Sequence, residues 1–294
     1  MERNTIMPFQ PTYSIPEERK PYTFQAEPDG ENGRAGCLML HGFMGSPASS
    51  RPMAQYLAAH GITVHCPLLP GHGHYPDKLY KVSHREWLAE AEEALATMRR
   101  LADEIFIIGH SMGTVLGARL ATKYRDIRGM VMITPLYDVP DYRLRLMTIL
   151  RYLMPWFYPH KRKSMQKLLR ERVRDFDPTV DFDDSEVQAR LPAMTRLPTS
   201  GLAEMVKVVD IGRELWSCLD LPVLVFQGGH DPAVKPGTIQ KIYDLLPGQD
   251  KQLRTFPEAG HEMMRPFEPV HAQVWQLIYE FVCERSEVGV AAGA

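Results

Sequence analysis

The sequence predicts an α/β fold: a mostly parallel central sheet of about seven strands, flanked by helices and interrupted by an inserted helical cap. Three observations lead there. Short, continuous apolar runs such as CLML at 37–40, IFII at 105–108 and VLVF at 223–226 read as strands buried on both faces. Between them lie stretches of helical periodicity long enough to cross back over a sheet. The 294 residues, 44% hydrophobic and 24% charged, form an ordinary globular chain, large enough to bury a core without disulfide or metal support.

The elements follow in order. Residues 1–35 carry five prolines and one strand-like run at 22–26, which reads as an arm and an edge strand closed by the turn-rich DGENGRAG. A strand at 37–40 leads to a helix over 47–60, stopped by Gly61, and then to a strand over 62–66. The spacing predicts a helix over 84–101, with Ser83 and Glu86 in the relation of a capping box. A strand at 105–108, a helix over 112–124 and a strand at 130–133 complete the first part of the core, residues 36–135. The alternation then lapses over 136–220, the expected cap insertion. It resumes with a strand at 223–226, a helix over 238–246, a strand at 252–256 and a helix over 269–283. Residues 221–294 thus form the second part of the core, and the final VGVAAGA reads as a short disordered tail.

Composition removes several function classes. Thirty-four Lys and Arg against 36 Asp and Glu leave a net charge of −2, so no overall basic field exists to hold nucleic acid. Cys37, Cys66, Cys218 and Cys283 are far apart and form neither a CxxC pair nor a zinc-type spacing, so reduced thiols are expected. The first residues lack the apolar core of a secretory signal, and no run approaches 18 apolar residues. We therefore expect a cytoplasmic protein without stable membrane insertion, a monomer or homodimer, with no cofactor and no metal. GxxxxGK[ST] and GxGxxG are both absent, so nucleotide binding has no support.

The chemistry lies in short motifs at strand ends. GHSMG at 109–113 directly follows the strand IFII and directly precedes a helix, the context that makes a GxSxG match informative. Such a turn holds Ser111 in strained backbone geometry and raises its hydroxyl above the carboxyl edge of the sheet. A serine nucleophile needs a general base, and the base needs an orienting carboxylate. Asp231, in GGHD after the strand at 223–226, and His261, in EAGH after the strand at 252–256, both lie on that edge. His230 is a rival base and Glu258 a rival acid. Acyl transfer also requires oxyanion donors. The backbone N–H of Met112 is one, and that of Phe43, in HGFMG at 41–45 after the first parallel strand, is the other.

LMLHGF at 38–43, PLLPGHG at 67–73, GHSMG at 109–113, GGHD at 228–231 and AGH at 259–261 together resemble the α/β-hydrolase superfamily, and within it bacterial carboxylesterases and monoacylglycerol lipases. The resemblance runs from residue 22 to residue 283. It implies a serine hydrolase that cleaves carboxylic esters of short or medium acyl chains, or monoacylglycerols, through an acyl-enzyme; its partner is a small ester or lipid. Amidase, thioesterase or acyltransferase chemistry on the same triad is the alternative, and a non-catalytic relative is a further one. The chain order nucleophile, acid, base in such enzymes favours Asp231 over Glu258 and His261 over His230. Thr114 departs from the second glycine common in relatives. The HGF loop, in place of HGGG, favours simple esters over bulky tertiary-alcohol esters.

Other features read more plainly. His72, His74 and Asp77 are taken as part of a structural loop rather than a metal site. The stretch 175–186 mimics an EF-hand loop but lacks the required glycine and contains Pro178. The run 161–174, with seven Lys or Arg and one Glu, is read as a solvated helix face. The insertion begins with a stretch crowded with large apolar residues between 144 and 158, so part of it is expected to pack down onto the core. Its underside would then form the substrate pocket, with Met147, Met154 and Trp156 in its wall.

Overall fold

The computed structural model describes residues 9–26, 35–139, 141–161, 166, 170, 173, 180–234 and 237–286. The DGENGRAG turn, the VGVAAGA tail, most of the basic run 161–174 and the first half of the EF-hand-like stretch lie outside them in whole or in large part. The central sheet contains β1 (Tyr22–Phe24), β2 (Ala35–Leu40), β3 (Thr63–Cys66), β4 (Glu104–His110), β5 (Ile127–Ile133), β8 (Val223–Gly228) and β9 (Lys251–Phe256). A separate ribbon pairs β6 (Trp156–Phe157) with β7 (Leu197–Pro198). Strand order in the sheet is β1-β3-β2-β4-β5-β8-β9, with β1 antiparallel to β3 and every other pairing parallel.

Alternate residues of the central strands serve opposite layers, which is why their sequences read as unbroken apolar runs. Leu38, Leu40, Ile105, Ile107, Met130 and Met132 pack with the helices α2 (His84–Met98) and α3 (Met112–Lys123). Cys37, Met39, Phe106, Ile108, Val131 and Ile133 pack on the other face with α1 (Arg51–Ala59) and, late in the chain, α8 (His271–Cys283). Each such side chain contributes about 1.5–3 kcal/mol through burial. The capping box is present: the Ser83 hydroxyl accepts from the Glu86 amide, and the Ser83 amide donates to Glu86 Oε2 at 2.9 Å. α7 (Thr238–Leu245) connects β8 to β9.

The stretch 136–220 is not uniform. It holds α4 (Met147–Leu150), α5 (Ser185–Thr195), which contains Pro192, and α6 (Thr199–Leu215). α6 lies against α3: a Cβ added at Gly212 would sit 2.9 Å from Val115, and Val206, Val208 and Val209 share one apolar layer with Met112 and Val115. The apolar crowding before residue 158 is used differently from expectation. Leu146, Ile149, Tyr152, Leu153 and Met154 are exposed, Met154 at 51%. The reason is electrostatic. Arg145 and Arg151 take the side of this segment that faces α6, donating to Asp210 Oδ1 and Glu204 Oε1, both at 2.9 Å; between them Leu146 and Ile149 turn outward, while Met147 and Leu150 stay half-buried.

Glu204 is also the acceptor for Lys207 and for His84 of α2, so one buried carboxylate on α6 joins the segment of Arg151 to α2. Burial raises its pKa, but the bonds from His84 and Lys207 prevail and bring it down to about 2.

Burial also bears on acid stability. It pushes His72 down to about 4, although its Nδ1 lies 3.0 Å from the Pro70 carbonyl. The unfolded imidazole takes a proton near pH 6.5. Acid therefore favours the unfolded chain across that window: stability is full above about pH 6.5 and is lost as pH falls towards 4. The expected loss from His72 alone is about 2 kcal/mol between pH 7 and pH 5. Urea midpoints at the two pH values should show it, and His72→Gln should flatten the difference; an equally steep decline in that variant would assign the effect elsewhere.

Candidate active site

Five consecutive strand ends meet at the carboxyl edge of the sheet. β4 is central and ends directly before Ser111, β2 beside it leads into the 41–45 loop, and β8 and β9 lead to Asp231 and His261. Ser111 has φ 52° and ψ −117°, a conformation that costs a non-glycine residue about 1–3 kcal/mol and persists only where its surroundings enforce it. The enforcing contacts are present. The Ser111 amide donates to the Ile133 carbonyl at 3.0 Å, and the Thr114 amide and hydroxyl donate to the Ser111 carbonyl at 3.0 and 2.6 Å. Thr114 thus closes the turn beneath Ser111. A Cβ at Gly113 would stand 2.0 Å from the Leu40 carbonyl oxygen, so only glycine lets α3 begin this close to β2.

The same approach brings the 41–45 loop to Ser111: a Cβ at Gly42 would lie 3.1 Å from Ser111 Cβ. His41 staples that loop. The Leu69 amide donates to its Nε2 at 3.2 Å, so the proton is on Nδ1, which donates to the Gly42 carbonyl at 3.0 Å. Burial drives His41 well below the ordinary histidine range, which keeps it neutral in this role. The Phe43 ring packs edge-on against His72 and Trp87, with centroids 6.1 and 5.9 Å away, so its side chain is spent on packing. Sequence reasoning passed over His41; the signal was a histidine directly before the Gly-Phe of the loop.

Asp231 Oδ2 accepts from His261 Nδ1 at 2.8 Å, while Asp231 Oδ1 accepts the Ala233 and Val234 amides at 2.7 and 2.9 Å. Ser111, Asp231 and His261 are 8, 8 and 7% exposed. The rivals separate on burial alone, since His230 and Glu258 are exposed. The loops that carry Asp231 and His261 touch backbone to backbone: the His230 amide donates to the Ala259 carbonyl at 3.0 Å, and a Cβ at Gly228 would stand 2.5 Å from the Gly260 oxygen. The Gly-Gly of GGHD is required by that approach.

The three cap residues are placed differently from one another. Met147 is half-buried. Trp156 stacks on Tyr80 with centroids 5.3 Å apart and carries the Arg196 guanidinium 4.5 Å above its ring. Met154 is exposed. Among the described residues, no three His, Cys, Asp or Glu groups are placed to hold a metal ion. Asp184, within the EF-hand-like stretch, serves as N-cap of α5 and accepts the Glu186 amide at 2.7 Å. No helix in the described residues is long and apolar enough to cross a membrane.

The family model described as serine aminopeptidase, S33, matches residues 31–269. The chain is 30% identical over 248 residues to the thermostable monoacylglycerol lipase of Bacillus sp. (strain H-257), covering 83% of this chain and 90% of that one. It is 25% identical over 264 residues to the carboxylesterase of Bacillus subtilis (strain 168), covering 90% and 96%. Among solved structures, a metagenome-derived lipolytic enzyme superposes with a TM-score of 0.73 at 19% identity, over 92% of this chain and 99% of the other. The monoacylglycerol lipase of Paleococcus ferrophilus superposes with a TM-score of 0.67 at 18% identity, over 90% and 98%.

Proposed function

The chain belongs to the serine aminopeptidase S33 family of hydrolases, and from that premise we propose that Ser111, His261 and Asp231 hydrolyse carboxylic esters through an acyl-enzyme. The protein is a hydrolase of the monoacylglycerol lipase and carboxylesterase kind. One observation supports the residue assignment above all: a buried carboxylate–imidazole pair stands at the same sheet edge as a serine held at positive φ.

Ser111 Oγ attacks the ester carbonyl carbon while His261 Nε2 takes its proton. The Phe43 and Met112 amides receive the oxyanion, and Asp231 holds the proton on Nδ1 so that Nε2 is free to accept. His261 then protonates the departing alcohol. A water, deprotonated by the same Nε2, releases the acid and restores Ser111. No step calls for a cofactor, and the enzyme acts in the cytoplasm as a monomer or homodimer on a small ester or lipid. Hydrolysis of p-nitrophenyl esters from C2 to C16 and of monoacylglycerols, beside an aminoacyl p-nitroanilide, tests the reading. Faster anilide turnover than ester turnover would replace ester by amide chemistry.

On this reading the acyl pocket lies under the cap, with Met147, Met154 and Trp156 in its wall. Each methylene buried there contributes about 0.8 kcal/mol. A closed cap limits the length of that pocket, so short to medium chains are expected as substrates, and Trp156→Ala or Met154→Ala should move the chain-length optimum of kcat/KM while activity persists. An unchanged profile across both variants would show that the cap does not build the pocket.

A further inference from the structure

The residue before the nucleophile has a use of its own. His110 ends β4 and is buried, and its side chain turns towards His261. Its Nε2 lies 3.0 Å from the backbone carbonyl oxygen of His261, 151 residues away in sequence. A carbonyl only accepts, so Nε2 carries the proton and donates. The Thr134 hydroxyl, past the end of β5, lies 3.5 Å from the same oxygen. The His110 and His261 rings lie 4.8 Å apart between centroids, inclined at 51°. On its other side, His110 Nδ1 would be 3.4 Å from a Cβ added at Gly42, so the ring fills the space between the oxyanion loop and the base.

We infer that His110 is a positioning residue for the base: it grips the His261 backbone and braces its ring, so that the spacing from base to nucleophile is set from the nucleophile's own strand. The inference rests on the triad reading given above. Asp231 fixes only Nδ1 of His261 and leaves the imidazole free to pivot about that bond. The bond from His110 anchors the backbone end, and the neighbouring ring limits the swing of the other. Because His110 is covalently joined to Ser111, any shift of the nucleophile turn carries the base with it. Reacting groups displaced by about 1 Å lose rate on the order of 100-fold, so this coupling has kinetic weight.

Two substitutions separate the donor from the bulk. His110→Leu keeps apolar volume without a donor, and His110→Gln keeps an N–H donor without a ring. Turnover is expressed per site titrated to completion with a fluorophosphonate, so that unfolded protein is not counted. We expect His110→Leu to lower kcat by about 10- to 100-fold with KM changed less than threefold, and His110→Gln to recover most of the loss. A His110→Leu enzyme within threefold of wild type, or equal losses in the two variants, would overturn the assignment while leaving the triad in place. Turnover surviving in Ser111→Ala would instead overturn the triad reading, and this inference with it.

Discussion

Replacing Ser111 by alanine is expected to lower kcat by about 10⁴-fold or more, with the fold unchanged. Nucleophile and base act as a unit, so removing one leaves only what the oxyanion donors and substrate binding provide. The fold should tolerate the change because alanine keeps the Cβ, and the contacts holding the turn are made by backbone atoms of residue 111: its amide to Ile133 and its carbonyl to Thr114. A fluorophosphonate should label the wild-type protein at Ser111 and leave the variant unmodified. Ester turnover near wild type in Ser111→Ala, with an unchanged melting temperature, would refute the acyl-enzyme mechanism.

The second large effect is expected from Asp231→Asn, and the structure supplies its sign. Oδ1 of residue 231 is fixed by two backbone donors, the amides of Ala233 and Val234. An asparagine must keep its oxygen there and turn its NH₂ to the position facing His261 Nδ1. That group donates, so Nδ1 becomes an acceptor and the imidazole proton moves to Nε2, the atom that must accept from Ser111. The triad would keep its shape and hold the wrong tautomer, with kcat falling by roughly 10⁴-fold. Glu258→Gln, at an exposed position three residues before the base, should leave kcat within about twofold, the range of a surface change away from the site. A larger loss from Glu258→Gln than from Asp231→Asn would transfer the role of acid.

Much of this was legible in the residue order, for reasons of local physics. A strand covered on both faces has no polar side to show, so CLML, IFII and VLVF identify themselves. The capping box over Ser83 and Glu86 and the sharp strand-to-helix turn at GHSMG are likewise formed within a few residues of chain. Because parallel strands all point the same way, the ends of β4, β8 and β9 share one edge, and Ser111, Asp231 and His261 with them.

What tertiary structure alone decided is how groups far apart in sequence compete for the same space. Asp231 and Glu258 are equivalent as carboxylates; the Ala233 and Val234 amides and the closed approach of two loops bury the one, and nothing covers the other. The apolar residues from 146 to 154 resemble a core segment, yet Asp210 and Glu204, brought up on α6, claim Arg145 and Arg151, and Leu146, Ile149, Leu153 and Met154 face outward. Nothing within GHSMG gives His110 a partner; the chain after β9 brings the His261 carbonyl to its Nε2. Propensity and periodicity act over a few neighbouring residues, whereas burial and charge pairing depend on which distant segment arrives alongside.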